Sequence, residues 1–194
     1  MLTPHQRQEL ADYLARYCSV GWRVVQSGRR ADVLSHLDVI DKTAIYHYSD
    51  DGYEALNRQL HASSGDNKTL FGRGLAAALA KLPPYVGLVS SGVSLQPAQL
   101  QYYRARAQDG QPVSWPAFLS ASQKNTIAFQ YLHSSKKNCL FVIQSRTGRS
   151  IAELSKYGID GQNEYEVLFA PHTQFEVLEV ANEPDYTRIV LDEL

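Results

Sequence analysis

Apolar residues recur three and four apart over the first third of the chain, and alternation replaces that period further on. Leu10, Tyr13, Leu14 and Tyr17 make one helical face. Thr3, Pro4 and Gln6 ahead of them supply a capping box with proline at the first helical position. The stretch Gly21 to Asp32 is polar and carries Arg23, Arg29 and Arg30; it reads as a connection. A second helix is expected from Ser49 or Asp50, whose side chains suit a helix start, with Tyr53, Leu56, Asn57 and Leu60 on one face. A third is expected from about Gly74 to Leu82, stopped by Pro83-Pro84. Val86 to Val93 then reads as a strand, Pro97 to Ala107 as a polar helix, and Asp109-Gly110 as a turn. Val113 to Leu119 reads as a further strand, with Asn125 capping a helix that reaches His133. Cys139 to Gln144, Tyr165 to Phe169, Phe175 to Val180 and Arg188 to Leu191 have the β-branched and aromatic content of strands. Helices first and strands later predict an α+β fold rather than a doubly wound parallel sheet.

Composition narrows the function classes without naming one. The 194 residues carry 19 basic and 20 acidic side chains, a net charge of -1, so no basic surface argues for nucleic acid or for a polybasic membrane anchor. No apolar run approaches the roughly 20 residues that span a bilayer. Met1 to Gln8 lacks the order of a signal peptide. Two cysteines, Cys18 and Cys139, make neither a disulfide framework nor a zinc site, and the six histidines have no ligand spacing, so no metal is expected. Phosphate-binding glycine loops and the Gly-x-Ser-x-Gly elbow are missing.

Two stretches carry candidate chemistry. In Asn163-Glu164-Tyr165-Glu166-Val167-Leu168-Phe169, strand alternation puts Glu164 and Glu166 on one face and Tyr165, Val167 and Phe169 on a core face. Two adjacent carboxylates push their pKa values apart, although a solvated strand edge guarded by charge explains the same pattern. In Phe118-Leu119-Ser120-Ala121-Ser122, a strand ends in two serines on one face, able to orient a carboxylate or amide by hydrogen bonds. An ordinary strand-to-helix turn explains that stretch equally.

In order along the chain come Tyr53 to Asn57, Ala77 to Pro83, the strand Gly87 to Val93, Phe118 to Ser122, Phe129, Gly148-Arg149-Ser150-Ile151, Ser155 to Tyr157, and Glu164 to Phe169. This order resembles the mono-ADP-ribosyltransferases of the Arg-Ser-Glu class, the group of arginine-modifying bacterial toxins and vertebrate ecto-enzymes, over about Ile40 to Val180. The resemblance implies a split β-sheet core with N-terminal helices. It implies NAD as substrate and an arginine of a host protein as acceptor. Glu166 matches the catalytic glutamate, which stabilises the oxocarbenium-like cation as nicotinamide leaves. Glu164 matches the glutamate that orients the acceptor guanidinium, a task suited to a carboxylate. Ser120 matches the serine that holds the catalytic glutamate and positions NAD, and Ser122 the last residue of that motif. Ser155 to Asn163 matches the acceptor-recognising loop, with Tyr157 as its contact residue.

One position departs from the family. Where an aromatic residue, an arginine and a glycine are expected on the first core strand, the chain has Ser90-Ser91-Gly92. Ser91 therefore stands where the NAD-binding arginine is expected, beside Gly92. Loss of such a charge-assisted contact costs about 1.5–3 kcal/mol, or roughly one to two decades of affinity. Three explanations stay open: a deliberate substitution, an arginine supplied from elsewhere (Arg23, Arg29, Arg30 or Arg73), or a fold kept for another task. The last implies a catalytically impaired pseudo-enzyme whose acidic cleft grips an arginine-containing peptide or host protein. Residues 1–35 are expected as an N-terminal helix and arginine-rich connection, and 36–194 as the transferase-like domain. Transferases of this kind without a signal peptide resemble effectors that plant pathogens inject by type III secretion to act in the host cytosol.

Overall fold

The structure, a computed structural model, describes residues 2–158 and 163–194. The chain forms two compact units. One comprises Met1–Pro83 and Arg149–Asn163, the other Pro84–Gly148 and Glu164–Leu194. The boundary expected near residue 35 falls inside the first unit.

The first unit is built from helices: α1 (Pro4–Tyr17), α2 (Ser19–Val24), α3 (Gly28–Asp32), α4 (Val39–His47), a π-helical turn (Tyr48–Gly52), α5 (Tyr53–Ala62) and α6 (Leu70–Leu79). The capping box of α1 forms as the sequence predicts, with Gln6 N–H on the Thr3 hydroxyl at 3.2 Å and Thr3 N–H on the Gln6 amide oxygen at 3.1 Å. Leu10 and Leu14 are buried, and a side chain at Gly74 of α6 would fall 2.3 Å from Leu10, so α1 and α6 approach closely there. Helix α4 has no counterpart among the elements read from sequence. Residues 41–47 are all buried, so it shows no polar face and no amphipathic period. Its cap is Asp38, whose carboxylate accepts from the N–H groups of Ile40 and Asp41 at 3.0 Å each. Ser49 and Asp50 therefore do not start a helix: they sit in the π-helical turn that joins α4 to α5. Helix α6 likewise starts earlier than expected, at Leu70, with the Thr69 hydroxyl accepting from Gly72 N–H at 3.0 Å. Arg23, Arg29 and Arg30 all find partners within this unit: the Ser19 carbonyl, Glu153, and the carbonyls of Ser155 and Lys156.

The second unit holds β1 (Gly87–Val93), α7 (Pro97–Asp109), β2 (Val113–Trp115), β3 (Leu119–Ser122), α8 (Asn125–Ser134) and β4 (Cys139–Ser145). The two-residue β5 (Arg149–Ser150) lies in the first unit. Next in the second come β6 (Glu166–Phe169), β7 (Thr173–Asn182) and β8 (Thr187–Glu193). Its strands run in the order β2-β7-β8-β4-β1-β3-β6. All neighbours are antiparallel except β4 and β8. Pro116 divides the single strand expected over Val113 to Leu119 into β2 and β3, since proline cannot donate to a ladder. Val89, Val93, Leu119, Ala121, Phe141, Val167 and Phe169 meet in one apolar core. Helix α8 packs close to β1, where a side chain at Gly92 would fall 3.2 Å from the Leu132 nitrogen. Helices together with this largely antiparallel sheet make the α+β fold expected from the sequence.

Candidate functional site

Strand β6 begins at Glu166, and Leu119, Ser120, Ala121 and Ser122 of β3 pair with Phe169, Leu168, Val167 and Glu166 in register. Alternation sends Val167 and Phe169 into the core and puts Glu166 on the face shared with Ser120 and Ser122. Glu166 is only 6 % exposed. A buried carboxylate needs donors, and the Ser120 hydroxyl supplies one, at 2.7 Å from Glu166 Oε1.

The residue before Glu166 breaks the strand. Tyr165 has φ +51°, a left-handed conformation costly for an aromatic residue. It is held there by neighbours on both sides. The Ser122 hydroxyl donates to the Glu164 carbonyl at 2.6 Å, and Gln123 N–H donates to the Tyr165 carbonyl at 3.1 Å. Consequently Glu164 and Glu166 are not alternate residues of one strand, and Tyr165 does not line the core. Its ring is exposed, with the Lys124 ammonium 5.1 Å above its centre. The turn redirects Glu164 to α8, where the Tyr131 hydroxyl donates to its Oε1 at 2.5 Å. Burial pushes the Glu164 carboxyl above its ordinary value, and the Tyr131 hydrogen bond pulls it back down.

Ser90 and Ser91 occupy opposite faces of β1. Ser90 is in register with Ser122, so it shares the face of Ser120 and Glu166, and its hydroxyl donates to Asn125 Oδ1 at 2.6 Å. Asn125 is thus engaged with β1 rather than capping α8. Ser91 lies between Val89 and Val93 on the core side, 6 % exposed, with its hydroxyl donating to the Ser120 carbonyl at 2.6 Å. That bond joins β1 to β3 next to their registered pair, Ser90 and Ser122. The structure therefore gathers Ser120, Ser122, Glu164 and Glu166, uses Ser91 and Gly92 to hold strand and helix, and adds Ser90, Asn125 and Tyr131. Helical spacing places Tyr131 one turn from Ile127 and Ala128 but says nothing of its tie to residue 164. The second unit does not contain Tyr157. That residue is 41 % exposed in a turn of the first unit closed by Gly158 N–H on the Ser155 carbonyl at 3.1 Å. Residues 159–162 of the expected acceptor loop lie outside the described residues.

Among the described residues no group of three or more His, Cys, Asp or Glu could hold a metal, and no helix is long and apolar enough to cross a membrane. A serine-held buried carboxylate preceded by a second, partly buried one is suited to facing a cation that develops during reaction. The family model for NAD:arginine ADP-ribosyltransferases matches residues 89–194, more than half of the chain. The chain belongs to the NAD:arginine ADP-ribosyltransferase family. Among relatives of this family, a putative NAD(+)–arginine ADP-ribosyltransferase, Mav, of Mycobacterium avium is 32 % identical over 160 residues. The match takes in 82 % of this chain and 18 % of that protein, so the chain spans about a fifth of its length. The ADP-ribosyltransferase fold is shared with HopU1 of Pseudomonas syringae, at a TM-score of 0.82 and 16 % identity over 100 % of this chain and 98 % of that one. It is also shared with the type III effector XopAI of Xanthomonas axonopodis, at a TM-score of 0.72 and 21 % identity over 100 % and 84 %.

Proposed function

We propose that this ADP-ribosyltransferase moves ADP-ribose from NAD to an arginine side chain of a host protein. The observation that carries the reading is the Ser120 hydroxyl on the buried Glu166 carboxylate at 2.7 Å. As the bond between C1′ and the nicotinamide nitrogen breaks, nicotinamide leaves with the electron pair and positive charge grows on the ribose. Glu166, its orientation fixed by Ser120, faces that charge and accepts from the ribose 2′-hydroxyl. Glu164 binds the incoming guanidinium, aligns one nitrogen on C1′ and takes the proton released as the new bond forms. Ser122 sets the distance between the two carboxylates by holding the Glu164 carbonyl. Tyr157 reads the acceptor protein beyond its arginine. Delivery by a type III-like route and action in the host cytosol complete the reading, in keeping with the fold shared with XopAI.

A second reading is favoured by one observation. Ser91 stands where the family's arginine is expected, and its hydroxyl is already bonded to the Ser120 carbonyl. A neutral, engaged hydroxyl contributes little to an NAD diphosphate, which weakens NAD and favours an impaired enzyme that grips an arginine-containing peptide. Titration calorimetry with NAD and with an arginine peptide separates the two. NAD binding together with label transfer to agmatine above a Glu166→Gln control supports the enzyme; peptide binding without NAD binding supports the second reading.

A further inference from the structure

The turn that carries Tyr157 is gripped by side chains from the helices of its own unit. Arg30 of α3 is 4 % exposed, and its Nη2 donates to the Ser155 carbonyl at 2.7 Å and to the Lys156 carbonyl at 3.5 Å. The Ser49 hydroxyl accepts from Lys156 N–H at 2.9 Å while donating to the Tyr46 carbonyl at 2.9 Å. The Lys156 ammonium pairs with Asp50 and lies 5.6 Å from the centre of the Tyr157 ring. Two carbonyls and one N–H of a two-residue stretch are thus met by distant helical side chains. Loops seldom receive this, because their backbone usually finds water.

The clamp is itself braced. The guanidinium of Arg30 lies 5.5 Å from the centre of the Tyr46 ring. Buried Lys42 donates to the carbonyls of Arg30 and Ala31 at 3.0 and 2.8 Å, a cation at the negative end of α3. Ser49 and Asp50 are presented by the π-helical turn, an irregularity that recurs at functional sites. Gly158 closes the turn tightly, since a side chain there would fall 2.0 Å from the Ala152 carbonyl oxygen. The outcome is an exposed Tyr157 on a fixed backbone. Burial of a full charge in Arg30 is costly, and an ordinary surface turn does not require it.

We infer that Arg30, with Ser49, is a positioning residue that fixes the Tyr157 turn for recognition of the acceptor protein beyond its arginine. This rests on the arginine-transferase reading above. It assigns the N-terminal helices a part in acceptor choice and none in NAD chemistry.

The test compares full-length Arg30→Ala, Arg30→Lys and Ser49→Ala with the unaltered chain. Transfer is measured to agmatine, which offers a guanidinium alone, and to polyarginine, with amide hydrogen exchange followed across residues 155–158. The expected result for Arg30→Ala is a KM for polyarginine raised about ten-fold, while KM for agmatine and NAD hydrolysis stay within about two-fold. Exchange at Lys156 and Tyr157 rises about ten-fold or more, and Arg30→Lys recovers part of both effects because an ammonium still reaches one carbonyl. Equal losses for agmatine and polyarginine, or unchanged exchange at 155–158, overturn the inference. If Arg30→Ala does not fold, Arg30→Lys and Ser49→Ala carry the same comparison. If the unaltered chain modifies neither acceptor, the proposed function fails. The exchange result alone then decides whether Arg30 holds the turn.

Discussion

Glu164 shows how one turn changes the chemistry of a carboxylate. Its carboxyl is raised by burial and lowered by the Tyr131 hydroxyl. If the ionised form receives the guanidinium, transfer falls on acidification, starting at a higher pH than the titration of a free glutamate. Removing the hydroxyl with Tyr131→Phe moves that limb of the pH–rate profile to still higher pH. The stability effect has the opposite sign to a salt-bridged acid. A carboxyl raised on folding contributes stability that is full below its unfolded value and lost as pH rises through the folded one. Glu164→Gln therefore melts no lower than the unaltered chain at neutral pH, and that advantage vanishes in acid; melting curves at the two pH values check it. His47 behaves as the converse case. Burial lowers it, against the pull of Asp51 and Asp50, so stability present above its unfolded value is lost as pH falls through the folded one. His47→Gln is expected to flatten the fall in melting temperature below about pH 6.5. At this level the sequence singled out Ser120, Ser122, Glu164 and Glu166 as candidates, and the structure brings them together, but the alternation pattern did not give their geometry. A left-handed Tyr165 leaves no mark in an alternation pattern.

The segments show where periodicity is informative and where it fails. The start of α1 was legible because its capping box is local chemistry, and β4 because its β-branched run is continuous. Helix α4 was not legible, since a helix buried all round has no polar face to set a period. What it buries is charge: Asp41, 2 % exposed, meets Arg7 at 3.1 Å and Lys81 at 2.5 Å. Both partners are partly exposed and can turn to solvent. Asp41→Ala is therefore expected to cost about 2 kcal/mol, below the 3–5 kcal/mol for a fully buried pair, and denaturant unfolding measures it. In the second unit the approach of α8 to β1 depends on Gly92. Adding one methyl by Gly92→Ala forces the Leu132 backbone to yield a few tenths of an ångström, at a cost of about 1–3 kcal/mol. The same shift draws Tyr131 away from Glu164, so the variant should also show the altered pH profile of Tyr131→Phe.

Across the whole chain, a net charge of -1 conceals an uneven distribution. Glu164 and Glu166 lie together in the second unit, whereas buried Arg30 and Lys42 serve backbone carbonyls in the first. The α+β class and the family were legible because short motifs keep their order over most of the chain. The division into two units was not, because residues 149–163 return to the first unit after a long excursion, and no local pattern records such a return. The proposed function rests on whether the serine-held Glu166 drives transfer with Ser91 at the position where the sequence comparison expects an arginine. The most direct measurement incubates the full chain with labelled NAD and agmatine and follows ADP-ribosyl-agmatine. The expected result is product formation that Glu166→Gln reduces about 100- to 1,000-fold while the melting temperature is kept. Equal product with and without the Glu166 carboxylate, or none from the unaltered chain at saturating NAD, contradicts it.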